Sequence, residues 1–389
     1  MQQIPSTPSN SPFSTGLPAL YVVAFLSGIS LGLFNPFIST LMAQHQVSDV
    51  WIGANSTVYF LFIALGTPLV AKILRHIGLR RTMMLGFALM GLSAPLFPLT
   101  EQLPLWFVIR AVMGIACCLY LISGQTALNY FCNDSNRAIV NGLDALSFSL
   151  GFGIGPVIGS VFYEVSPKIT FSLGSILVLS GIAVVWIGLP EKFVDFQSPR
   201  IGMFKQLTLP LQGAFAYGFS VATLVSLYPL YLLQQNYGVE QIGYTFGVFI
   251  VGGLVATIPV THLADRFGKL KVLLGSVWII VLSVLGLSFI DNFIATQVFA
   301  FIAGASMSPV FPLSLALIGA KLSGDKLPSG TALFTATYSA GCTAGPILSS
   351  VVMAIFGQRY IFSLMLMLFV LFMLELMKKH KKMIRASVQ

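Results

Sequence analysis

The sequence predicts an all-α integral membrane protein of twelve transmembrane helices, arranged as two six-helix bundles related by pseudo-symmetry. Three observations predict it. The 389 residues are 56% hydrophobic and only 8% charged, where a soluble chain carries about 25% charge. Twelve apolar stretches reach the roughly 20 residues that a bilayer core demands. The second half also repeats the first at a shift of 190 residues, with no gap. Ile52 and Gly53 fall on Ile242 and Gly243, Gly78 on Gly268, Arg81 on Lys271 and Gly114 on Gly304. Ser149, Gly151, Gly155 and Pro156 fall on Ser339, Gly341, Gly345 and Pro346. A repeat of this length implies two similar bundles about an axis along the membrane normal, with a substrate site near the midplane between them.

The apolar stretches run over 18–43, 51–74, 82–99, 104–131, 138–163, 169–189, 210–234, 241–263, 272–290, 294–320, 329–356 and 360–377. They define an N-terminal bundle (18–189), a linker (190–209) and a C-terminal bundle (210–377). The linker is polar and holds Glu191, Lys192, Asp195, Arg200 and Lys205. Residues 1–17 are rich in Ser, Pro and Asn and read as a disordered cytoplasmic tail. They lack the basic n-region of a signal peptide. Residues 378–389 form a short basic tail suited to anionic lipid headgroups.

Charge sets the orientation. With both termini in the cytoplasm, eighteen of the 21 Lys and Arg residues lie on the cytoplasmic side, as the positive-inside rule requires. Lys168 and Arg359 lie outside, and Arg110 lies within a helix. The net charge of +9 therefore reflects topology and not nucleic-acid binding. The implied location is a bacterial inner (plasma) membrane. Cys117, Cys118, Cys132 and Cys342 lack metal-ligand spacing and read as small packing residues. No metal site, no cofactor and no Walker loop is expected. Without a nucleophile–base pair, an enzyme is not expected either.

Three motifs carry a mechanism. After the eighth stretch come Asp265, Arg266, Gly268, Lys269 and Lys271. Gly268 suits a tight turn, and Asp265 can accept from a neighbouring helix N-terminus. In the first-half copy Gly78, Arg80 and Arg81 persist, but Arg75 stands where the acid belongs. The fifth stretch carries Gly151, Gly155 and Pro156, and the eleventh carries Gly341, Gly345 and Pro346. Such glycines let helix backbones approach closely, either as faces that slide between the halves or as plain packing. In the fourth stretch Arg110 precedes Gly114 by four residues. Arg110 either faces the interior with a partner or snorkels over the roughly 9 Å back to Pro104.

These motifs resemble those of the major facilitator superfamily: its cytoplasmic Asp-Arg-x-Gly-Arg/Lys loop, its helix 5 antiporter motif and its helix 4 Arg-x-x-x-Gly. The resemblance covers roughly residues 18 to 377. The missing acid in the first loop resembles the YcaD-like branch, a drug- or metabolite-exporter type. The family likeness implies that Asp265, Arg266, Gly268, Lys269, Gly78 and Arg81 gate by stabilising the outward-facing state. It also implies that Gly151, Gly155, Pro156, Gly345 and Pro346 form moving faces, and that Arg110 takes part in proton coupling or substrate binding.

Asp144 is the one carboxylate clearly inside the first-half bundle. An intramembrane acid can load and release a proton, so Asp144 is the proton-carrier candidate; the alternative is a structural acid near the inner interface. Glu375 reads as a partner of Lys378 and Lys379. The cavity candidates are Asn35, Tyr59, Tyr120, Gln125, Asn129, Tyr228, Tyr231, Gln234, Gln235 and Tyr338. Asn35 and Pro36 also mark an expected break in the first helix. These uncharged groups suit a neutral or weakly polar solute.

The expected function is secondary transport: proton-driven export of a small organic molecule by a monomer in the lipid bilayer. The alternatives are an uptake symporter or facilitator for a sugar-like metabolite, and a non-transporting sensor on a transporter scaffold.

Overall fold

The computed structural model describes residues 11–14, 16–133, 135–192, 207–289, 292–322 and 326–388. Among them it places twelve helical spans long and apolar enough to cross a membrane. Six belong to the first half: α1 (Leu17–Gln44), α2 (Asp49–Ile77), α3 (Leu79–Ser93), α4 (Leu103–Phe131), α5 (Arg137–Val165) and α6 (Pro167–Gly188). The second half holds α7 (Thr208–Gln234), α8 (Val239–Phe267), α9 (Lys269–Phe289), α10 (Phe293–Met307), α11 (Val310–Gly319), α12 (Leu327–Phe356) and α13 (Ser363–Val388). The tenth span is split. It was expected as one stretch, but Pro309 and Pro312 lack the N–H groups a continuous helix needs, and the chain breaks between α10 and α11 at Ser308 and Pro309. Prolines also tighten the end of the third span into a 3₁₀ turn at Ala94–Leu99.

The break expected at Pro36 does not occur. α1 runs through it, the Asn35 side chain donates to Leu31 O at 2.9 Å, and Thr40 Oγ1 donates to Pro36 O at 2.9 Å. The basic tail is no separate segment, since α13 continues to Val388. Nor is all of the N-terminal tail loose. The Pro12 carbonyl accepts from Tyr21 Oη at 2.7 Å, and Phe13 meets the Tyr21 ring edge-on. The middle of the linker, 193–206, lies outside the described residues, with Asp195, Arg200 and Lys205.

The repeat is visible in the backbone. Gln46 (φ 58°) and Asn236 (φ 62°) both take the left-handed conformation, in turns 190 residues apart. Gly78 (φ 82°, ψ 173°) and Gly268 (φ 95°, ψ 133°) also pair at this spacing, at positive φ, where L side chains are disfavoured. Within each half the packing matches: α1 lies on α5 as α7 lies on α12, and α2 on α4 as α8 on α10. The halves meet along α2–α12, α5–α8 and α1–α7.

This seam is uneven. With twelve spans, the start of α1 and the end of α13 lie at one end of the bundle, here called the terminal end. Among the described residues, the hydrogen bonds joining the halves all fall toward the opposite, far end. Thr57 Oγ1 donates to Thr343 O at 3.0 Å and accepts from Ile347 N at 3.2 Å. Glu164 Oε1 accepts from Glu240 N at 3.3 Å, and Gln358 donates to Asp49. At the terminal end Arg75, Asp265 and Arg266 are exposed, and so is Ile139 at the start of α5. The halves are closed at the far end and parted at the terminal end.

Candidate functional site

The deepest charge in the first half is Arg110. It is 0% exposed, so it does not snorkel. Its Nη2 donates to Asn35 Oδ1 at 2.9 Å, and its guanidinium carbon stands 4.5 Å from the centre of the Tyr59 ring. The contact joins α4 to α1 and α2 and unites three of the residues predicted for the site. Arg110 Nε and Nη1 have no hydrogen-bond partner among the described residues. Further along α4, Tyr120 Oη donates to Ser30 Oγ at 3.2 Å while its ring stacks on Phe87 at 4.9 Å.

Gln125 Nε2 donates to Asp144 Oδ2 at 3.1 Å. The pair bridges α4 and α5 on the parted side of the seam, with Gln125 exposed and Asp144 half-buried. Asn129 turns its amide back to the Gln125 carbonyl at 2.9 Å and is satisfied within its own helix. Arg110 and Asp144 do not meet. Fifteen residues of α4 separate Arg110 from Gln125, about 22 Å along the helix axis.

In the second half Tyr338 joins an aromatic cluster with Tyr217 (6.0 Å) and Phe311 (5.3 Å). Tyr217 and Phe311 escape sequence reasoning, because a chain with 32 Phe and 12 Tyr offers no contrast to single them out. Tyr228, Tyr231 and Gln234 require correction as cavity residues. Tyr228 and Tyr231 stack at 5.9 Å inside a buried group with Phe246 and Phe362, and Tyr231 Oη donates to Leu287 O at 3.2 Å. Gln234 and Gln235 end α7 at the far surface, outside the parted space.

The moving-face assignment is also redistributed. A Cβ on Gly151 would lie 2.0 Å from the Phe25 carbonyl oxygen, and one on Gly155 would lie 3.0 Å from that of Ile29. Likewise Gly341 and Gly345 abut the carbonyls of Phe215 and Phe219. These glycines pack α5 onto α1 and α12 onto α7, inside each half. The crossings between halves use other residues. A Cβ on Gly53 would meet Ser350 Oγ at 2.1 Å and the Pro346 carbonyl at 2.6 Å. A Cβ on Gly243 would meet Ser160 Oγ at 2.1 Å and the Pro156 carbonyl at 2.7 Å. Pro156 and Pro346 thus do face the partner half, but Gly53 and Gly243 are the small residues that admit them.

The two turn motifs differ. Glu191, at the start of the linker, lies 3.2 Å from Arg80 Nε and 3.7 Å from Arg81 Nε, and Leu79 N donates to Lys192 O at 2.8 Å. The carboxylate beside this turn comes from the linker and not from position 75. In the second half Asp265 holds no partner among the described residues, and Arg266 lies over the neighbouring Phe267 ring. Lys269 begins α9 directly after Gly268. Nearby, burial and the Lys379 ammonium hold Lys321 below the ordinary lysine range. Lys378 pairs with Glu375 at 2.8 Å, as expected. All four cysteines are buried free thiols.

The family model described as Major Facilitator Superfamily matches residues 20–212 and again 211–383, once per half. An uncharacterized MFS-type transporter of Yersinia pseudotuberculosis serotype O:3 (strain YPIII) is 24% identical over 380 residues, covering 95% of this chain and 97% of that one. The uncharacterized MFS-type transporter YfkF of Bacillus subtilis (strain 168) is 25% identical over 359 residues, covering 88% and 90%. Among solved structures, the nucleoside transporter NupG superposes with a TM-score of 0.75 at 11% identity, covering 94% and 99%. A bacterial homolog of the human lysosomal transporter Spinster, inward-facing and occupied, gives 0.74 at 11% identity, covering 94% and 96%. These two likenesses concern the fold. With twelve spans in two matching halves and the family model covering both, the chain is a multi-pass membrane protein that belongs to the major facilitator superfamily.

Proposed function

We propose that this protein is a secondary transporter that exports a small organic molecule in exchange for protons by alternating access. One observation carries the reading: the seam between the halves is closed at the far end and parted at the terminal end, with Asp144 on the parted side. Eighteen basic residues favour placing the terminal end in the cytoplasm, which makes this conformer inward-facing and gives Asp144 access to cytoplasmic water. Asp144 is the proton carrier. Arg110 lies about 22 Å away along α4, so it couples through movement of α2 and α4 and not by contact. Asp265 holds no partner among the described residues, and with Arg266 and Lys269 it gates the opposite state.

The test is flux in proteoliposomes with a trapped pH dye, against drugs, sugars and chelators, beside Asp144→Asn. The expected result is solute-driven proton movement that Asp144→Asn abolishes while solute exchange continues. Solute flux without proton movement would overturn the antiport reading in favour of a facilitator.

A further inference from the structure

Arg110 is a buried cation without a counter-ion. Of its three nitrogens only Nη2 is bonded, to the neutral Asn35, and among the described residues no carboxylate touches it. An arginine serving only to tie three helices together would have its remaining N–H groups satisfied, because a buried charge left short of partners is strongly disfavoured. The shortfall continues toward the far end. Ser39 lies one turn beyond Asn35 on α1, and Asn55 one turn beyond Tyr59 on α2, on the faces that meet Arg110. Asn55 is 0% exposed with both amide atoms unpartnered, and the hydroxyls of Ser39 and Ser56 are buried and unpartnered as well. Donors outnumber acceptors around a fixed positive charge.

We propose that this buried polar cluster between α1, α2 and α4 binds an anionic group, the carboxylate of an organic substrate, on Arg110 with Asn55 and the two serines as further partners. The proposal rests on the transporter reading and names its substrate class. Because Arg110 is fully covered here, the anion enters when α2 moves. α2 also carries Gly53 and Thr57 of the far seam, so occupancy favours the conformer with that seam open.

Formate and acetate carry the recognised group and nothing else, so they test the site without knowledge of the remaining substrate. Thermal unfolding of the purified full chain is followed in sodium formate, acetate or chloride at equal ionic strength, with formamide as the neutral control. Formate and acetate are expected to raise the midpoint of the wild type, and Arg110→Met to abolish the rise while leaving the anion-free midpoint equal or higher. If Arg110→Met does not fold, Asn55→Leu replaces it and is expected to reduce the rise. No response to either carboxylate, or an equal response in the variants, would overturn the proposal. A response to chloride alone would make this a resident-ion site and overturn the substrate assignment. The measurement uses no gradient, so it fails independently of the proton-coupling test with Asp144→Asn.

Discussion

Thr57 completes the backbone around Ile347 from across the seam. Its hydroxyl donates to Thr343 O and accepts from Ile347 N, the two groups that a regular α-helix joins to each other. Pro346 stands beside them and loosens that turn of α12. The hydroxyl is therefore part of α12 only while the far end is closed. Thr57→Val removes both bonds at nearly constant shape. About 1 kcal/mol of preference for the closed far end should be lost, a several-fold population shift. Spin labels across the far seam would report it as a larger long-distance fraction, and an unchanged distribution would contradict the assignment.

Two kinds of glycine should respond differently to substitution. Gly53→Leu drives a side chain into Ser350 and the Pro346 backbone, which belong to the other half. The halves can yield by parting, so the expected outcome is a far end held open with thermal stability little changed. Gly151→Ala drives a methyl group into the Phe25 carbonyl within one half, where no such movement is available. Overpacking of this kind costs about 1–3 kcal/mol, so its unfolding midpoint should fall while the distribution of far-end distances stays as in the wild type.

The two basic turns should also separate. Glu191→Gln removes the carboxylate that holds Arg80 and Arg81. The loss should be at most about 1 kcal/mol of stability and should shrink in high salt. Asp265→Asn touches no partner among the described residues, so unfolding from it should shift by less than about 0.5 kcal/mol. Transport should nonetheless slow under the proposal that Asp265 gates the opposite state. An equal stability loss in both variants would show that Asp265 is engaged here too.

Much of the fold was legible because the bilayer imposes it. Span lengths, the 190-residue repeat and the turns at Gly78 and Gly268 follow from local sequence. The exceptions at Pro36 and Pro309 show the limit: one proline is absorbed by its helix and the other splits it, and the neighbours decide which. The candidate site was legible in part. Arg110, Asn35 and Tyr59 could each be named, but their meeting joins residues 75 apart in sequence. Gly151 and Gly155 announced a close approach without saying to which helix, and α1 proved to be the neighbour. Tyr228 and Tyr231 could each be named, but not the Phe246 and Phe362 rings that cover them. Glu191 read as linker because nothing local ties it to Arg80, 111 residues earlier.

The crossings of Gly53 with Ser350 and of Gly243 with Ser160 are copies of each other across the pseudo-symmetry axis. Both crossings lie near the starts of α2 and α8, at the far end. A far end that opens must therefore give up both contacts, so the two glycines form a paired latch and not a hinge: neither can release while the other holds its half in place.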